Sequence, residues 1–360
     1  MVPLKKIFLL SLTATILSSC QLNYLWHVSY NHLSMLNSKE SIDSILSSDR
    51  VNEEQKNKIR LSQEVRVFAF EKLQLKKTKN YSEYVDLKRP YVTYTVTASQ
   101  KWKFEPYLWN FPIIGKAPYK GFYSEAAAKE EATELEKKNL DVTTRGVSAY
   151  STLGKMTDPL LSSMLNYPEH ILTNTIIHEL VHTTLFIKDN IDFNERLAVF
   201  VANKGTEIFY LEKEGKDSPT LKRIQDENHD DELFSAFITA ELDQLKKWYE
   251  NFDPTALPQE DQESVRRSRL DQIALNFEKN LKPKLRTRSY ERLFGKQFNN
   301  ADLSIYNTYM KSLDMFETVY QHNGANIPQF LKKCEELNKA DNAEAEFEKW
   351  AQDYRAQAAK

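Results

Sequence analysis

The chain reads as an α+β fold, mostly helical, with a small mixed β-sheet lying over one apolar helix. Three observations carry that expectation. Long stretches in both halves repeat apolar residues at three- and four-residue steps, as in KIRLSQEVRVFAFEKL and ELFSAFITAELDQLKKWYENF. Two segments, YVTYTVTAS from Tyr91 and LDVTTRGVSAY from Leu140, carry the β-branched and aromatic residues of strands. A third stretch, TIIHELVHTTL at residues 175 to 185, is apolar on most sides yet bears His178, Glu179 and His182.

The chain opens with Lys5 and Lys6 before the apolar run IFLLSLTATIL. That run is too short for a bilayer span and the right length for a signal-peptide core. It is followed by Leu17-Ser18-Ser19-Cys20, a lipobox pattern in which small residues admit the lipoprotein signal peptidase and the cysteine thiol receives a diacylglyceryl group. Residues 1–19 are therefore expected to be a signal peptide and Cys20 a lipid anchor to the bacterial envelope, with a plain secretory signal as the alternative. Gln21, where an aspartate would argue for inner-membrane retention, favours the outer membrane, facing the periplasm. With Cys20 lipidated, Cys334 has no intramolecular partner, and stability must come from the core.

Residues 20–37 are expected to link the anchor to a main domain at 38–335, with a helical tail at 336–360. Helix is expected over 21–75, with Ser38 as the cap of SKESIDSIL. After the strand at Tyr91, WKFEPYLWNFPIIGKAPYKGFY is aromatic, broken by Pro and Gly, and reads as strand and loop. SEAAAKEEATELEKKN is a helix capped by Ser124. The loop STLGKMTDP and a turn ending at Pro168 lead to the histidine helix, from Glu169 to about Phe186. Another helix opens at or just before Glu195, and the charged stretch 212–232 reads as a solvated connection. Amphipathic helices fill the remainder.

Against 51 acidic residues stand 49 basic ones, a formal net charge of -2, so no overall field draws nucleic acid, which is not expected as a partner.

The chemistry concentrates in HELVH. Two histidines at i and i+4 share a helical face and can reach one ion at about 2.0 Å. Glu179 sits about 100° round the helix, where it can reach a metal-bound water without being a ligand. Zinc lowers the pKa of that water toward about 7, and the carboxylate takes its proton as it attacks a carbonyl. The alternative is a buried helix whose histidines are satisfied by neighbouring carboxylates.

A catalytic zinc usually takes three protein ligands and keeps one position open. No histidine follows within forty residues, so the acidic candidates are Asp189, Asp192, Glu195 and Glu207. Glu195 is best placed, because KDNIDF allows a turn and a carboxylate in the first turn of the next helix would face back towards the histidine pair; there it could also serve only the helix dipole. LDVTTRGVSAY is the candidate edge strand for a peptide, and Tyr150 and Ser151 at its end could stabilise an oxyanion and contact substrate.

The stretches AYSTLGKMTDPLLSSMLNYPE and IIHELVHTTLFIKDNIDFNERLAVFVANKG, together with RVFAFEKLQL, YSEYVDL, WNFPIIG, YKGFYSEAAA and NNADLSIYNTY, resemble the bacterial predicted-aminopeptidase family of lipobox-bearing, zincin-like proteins over most of residues 25 to 335. The resemblance implies a zincin-like metallopeptidase acting on peptides, with His178, His182 and Glu195 as zinc ligands and Glu179 as base. It also points to Tyr309 as an oxyanion donor and to Glu125 as a partner for a substrate ammonium, although packing and the helix dipole are the competing roles. Asn110 and Lys116 depart from the family, where cysteines are expected, and Ala198 and Val199 leave the support of the ligand histidines unidentified. A non-enzymatic lipoprotein that binds peptide or an envelope protein with the same fold is the rival reading.

Overall fold

The computed structural model describes residues 34–111, 115–149, 156–309 and 313–358. Cys20, Tyr150 and Ser151 lie outside them.

A short strand, β1 (Glu40–Ser41), runs into helix α1 (Ile42–Leu46), where Ser41 accepts from the Ser44 amide. This corrects the expected cap at Ser38, whose hydroxyl instead donates to the Met35 carbonyl at 2.7 Å. The helix expected over 21–75 is also interrupted: α2 (Glu53–Glu71) restarts at a capping box, in which Asn52 and Gln55 bond each other's amides.

Next come β2 (Glu83–Val85), β3 (Thr93–Gln100), β4 (Trp109–Phe111), β5 (Gly115–Ala117) and β6 (Tyr119–Phe122). Helix α3 (Glu125–Glu136) starts at Ser124 as expected, and β7 (Leu140–Val147) and β8 (Leu160–Leu161) follow. One mixed sheet was expected, but the strands form three small sheets. The mixed one is β1-β2-β8, the antiparallel one is β6-β3-β7, and β4 pairs with β5. In that hairpin Asn110 and Lys116, the positions where cysteines were expected, stand directly opposite each other. The antiparallel sheet packs between α3 and the later helix at Asn300–Tyr309, and β7 is an edge strand, as a peptide-binding strand would require.

Helices α4 (Glu169–Thr184), α5 (Ile191–Glu214), α6 (Pro219–Asn251) and α7 (Gln259–Asn276) are followed by α8 (Asn300–Tyr309), α9 (Asp314–His322), α10 (Ile327–Cys334) and α11 (Ala343–Ala358). No helix among the described residues is long and apolar enough to cross a membrane.

The solvated connection expected over 212–232 is corrected to helix. Gly215, at φ +85°, ends α5, and Ser218 caps α6 with Pro219 in its first turn. Leu221 and Ile224 are buried, while the charges that suggested a linker pair along the helix, Lys222 with Asp226 and Arg223 with Glu227.

The largest core gathers α2, α4, α5 and α9 to α11 around Ile176, Leu180, Leu197 and Phe316. Helix α11 joins it through Phe347, and Arg196 of α5 pairs with Glu344. Gly205 lets α5 approach closely: a Cβ there would lie 2.8 Å from Leu73 and 3.3 Å from Ile177. Helices α6 and α7 form a second, aromatic core around Phe234 and Phe277.

Candidate metal centre

Helix α4 is buried on most sides, with Ile176, Ile177, Leu180 and Val181 all at 0% exposure, so its orientation in the core is firmly held. That burial aims His178 and His182 at one point. Their rings meet edge to face at 4.8 Å between centroids, and their Nε2 atoms are 3.1 Å apart. His182 is buried, and His178 and Glu195 are half-buried.

Glu195 arrives from α5. Its Oε2 lies 3.5 Å from His178 Nε2 and its Oε1 3.6 Å from His182 Nε2. Each of the three residues thus offers a donor atom within 4.8 Å of the others, an arrangement that could hold a metal ion. Burial alone would raise the Glu195 carboxyl, but the two imidazoles outweigh it and hold the group down at about 2. At neutral pH the cluster therefore presents a carboxylate.

Helix α5 begins four residues before Glu195, so the carboxylate sits in the second turn rather than the first. The reason is Asn194, which is buried and bonds both polar groups of Ile187: its Oδ1 accepts from the Ile187 amide at 2.8 Å and its Nδ2 donates to the carbonyl at 2.7 Å. Asp189 adopts φ +61° in the turn between. The α4–α5 connection is thereby pinned to the helix that carries Glu195.

The other acidic candidates stand elsewhere. Asp189 and Asp192 are exposed, and Glu207 accepts from Asn228. Glu125 is exposed on α3 and pairs with Lys129 at 2.6 Å, outside the donor cluster. Tyr309 is the last residue of α8. Glu179, half-buried on α4, stands beside the donor cluster rather than in it. The buried Nδ1 of His182 has no hydrogen-bond partner among the described residues, in line with the absence of a carboxylate at 198 and 199.

A family model described as Putative aminopeptidase matches residues 23–348. The chain belongs to that family. Comparison with curated proteins and with solved structures finds no match. In this aminopeptidase-family chain, sequence reasoning missed two features. The bonds of Asn194 to Ile187 were not foreseen. Tyr119, at the start of the edge strand β6, was passed over inside an aromatic stretch. Partial burial pushes its hydroxyl up from the ordinary value, and the Glu195 carboxylate pushes it further the same way.

Proposed function

We propose that the protein is a zinc-dependent peptidase of zincin-like design, an aminopeptidase by family, in which His178, His182 and Glu195 hold the ion and Glu179 is the general base. The observation that carries this reading is the size of the donor triangle. Corners of a tetrahedron with bonds of about 2.0–2.1 Å lie about 3.3 Å apart. The donor separations here are 3.1, 3.5 and 3.6 Å. Two imidazoles and one carboxylate also suit zinc with a fourth position left open.

Zinc bound there supplies Lewis acidity, lowering the pKa of water toward about 7 and polarising a peptide carbonyl. The chain's own residues do the rest. His178 and His182 donate through Nε2 as neutral rings, and ionised Glu195 offsets part of the cation's charge. Glu179, one residue from a ligand but not itself one, accepts the proton of the attacking water and passes it to the departing amine. The edge strands of the antiparallel sheet could take an extended peptide by strand addition.

Metal analysis and digestion of a peptide mixture test this reading together. The purified chain should bind about one zinc and trim peptides from a free amino terminus, while an N-acetylated twin mixture resists. Failure to bind zinc would sink the proposal. Zinc bound without any cleavage would favour the peptide-binding alternative, and equal internal cuts in both mixtures an endopeptidase.

The amino-terminal pattern supports a lipid anchor at Cys20 on the periplasmic face of the outer membrane. Labelling with a radioactive fatty acid checks it: Cys20→Ser should lose the label and accumulate precursor.

A further inference from the structure

We infer that Phe186 and Ile191 form an apolar subsite beside the donor cluster, selecting peptides with a large apolar side chain next to the scissile bond. The inference rests on the peptidase reading above and names the substrate class it implies.

Large apolar side chains are seldom exposed among the described residues, since burying them is the main driving force of folding. Two of the exceptions stand beside one polar cluster: Phe186 at 36% and Ile191 at 66% exposure. Each has its own structural tie to the cluster. The Phe186 ring lies edge-on to His182 at 6.3 Å between centroids, just beyond the end of α4. Ile191 opens α5 four residues before Glu195, and side chains four apart share a helical face.

Phe186 and Ile191 also flank the α4–α5 connection that Asn194 pins, so both walls are held in place without being covered. Core packing does not account for them, because the side chains of the same connection that do serve the core, Leu185 and Ile187, are buried.

A carbonyl held at the cluster fixes what reaches these walls. Consecutive Cα atoms are about 3.8 Å apart, so the residues on either side of the scissile bond lie within one side chain's reach of them. An acidic side chain would meet Glu179 and Glu195 at close range, and a basic one would lose hydration against two apolar walls. A leucine or phenylalanine side chain buries apolar area and leaves no polar group unpaired.

The test uses zinc-loaded, full-length protein carrying Glu179→Gln, so that peptides stay intact during calorimetric titration. The probes are pentapeptides alike except for Leu, Phe, Asp or Lys at the first or the second position. Leu and Phe should bind about tenfold or more tighter than Asp and Lys at one of these positions. Adding Phe186→Ser and Ile191→Ser, both at exposed sites, should shrink that preference to within about threefold while zinc content stays the same. No binding by any peptide, no preference, a preference for Lys, or a preference unchanged in the serine variants would each overturn the subsite. Hydrolysis of the same peptides by the unsubstituted protein reports separately on the peptidase reading: preferential binding without cleavage would sink the enzyme and leave the subsite standing.

Discussion

Two buried polar clusters lock elements together in this protein, and they are completed differently. At the start of β7, Arg266 of α7 donates to both oxygens of Asp141 at 2.7 and 3.1 Å, and both side chains are 4% exposed. Asp141 also accepts from the Asn300 amide, and the Asn300 side chain donates to the carbonyls of Gln100 and Lys101 and accepts from Tyr249. In the cluster of α4 and α5, by contrast, two imidazole nitrogens face each other at 3.1 Å while the carboxylate stands 3.5 and 3.6 Å away. Those carboxylate distances exceed an ordinary N–H···O bond. The first cluster spends its lone pairs on fixed donors and is a joint; the second points its lone pairs at a common gap that could hold a metal ion, which makes it the proposed receptor. Both are largely withdrawn from solvent and both hold a carboxylate, so burial and charge alone do not separate the two. Completeness of the hydrogen bonding does.

The sharpest way to break that comparison is to remove one member from each cluster. Glu179→Gln should keep about one zinc and lower turnover by about 10²- to 10⁴-fold, the usual contribution of a general base. Glu195→Gln should weaken zinc binding tenfold or more, a lower bound taken from the loss that follows removal of groups merely supporting the ligands. It should cost the metal-free protein about 1–3 kcal/mol at neutral pH, because the amide loses the charge that the two imidazoles favour in the folded state. A larger loss of stability on removing Glu195 would make the cluster a joint after all. Asp141→Ala should cost more, about 3–5 kcal/mol, because Arg266 is left buried with only Glu263 beside it. Denaturant unfolding and metal titration on the same samples tell the two behaviours apart. Equal zinc affinity in Asp141→Ala and the unsubstituted protein is part of the expectation.

Asn194 lies between these extremes, because it is a joint that serves the receptor. Asn194→Ala leaves the Ile187 amide and carbonyl without their side-chain partner and should cost about 1–3 kcal/mol in stability. It should also weaken zinc binding, since the turn before Glu195 is released. Asn194→Asp separates the two effects: the carboxylate can still accept from the Ile187 amide but cannot donate to its carbonyl. An alanine variant with unchanged zinc affinity would show that α5 places Glu195 without help from the turn.

What the sequence made legible follows the range of each interaction. HELVH was readable because i,i+4 geometry is local, and the core of α4 follows from its apolar neighbours. Glu195 was readable from the length of KDNIDF, but the start of its helix was placed late, because the bond from Asn194 back to Ile187 shortens the turn. The Asp141–Arg266 joint spans 125 residues and leaves no local trace. The stretch 212–232 misled because its charges were weighed and the three-residue step from Leu221 to Ile224 was not. Tyr119 was hidden for a related reason: its place on β6, opposite Thr97 of β3, is set by pairing between segments distant in sequence.

The smallest effect concerns Asp231 of α6, a carboxylate that is neither fully bonded nor part of the receptor. It accepts a hydrogen bond from Tyr290, which lowers its pKa, but burial and the nearby charges of Glu227, Asp230 and Glu232 win and hold it up at about 6, against an ordinary value of 3.8. A folded value above the unfolded one means that the native state keeps a proton the unfolded chain has lost. Stability from this group is therefore full below about pH 4 and is lost as pH rises through 6. Asp231→Asn keeps an oxygen for Tyr290 and removes the charge. The variant should gain on the order of 1 kcal/mol at neutral pH, because solvent screens part of the charge's burial cost, and should lose the downward slope between pH 4 and 6. Unfolding midpoints at pH 4.5 and pH 7, measured on both proteins, decide it. A variant that is less stable at neutral pH would show that the charged Asp231–Tyr290 bond stabilises the fold, which would move this pair to the side of the closed joint.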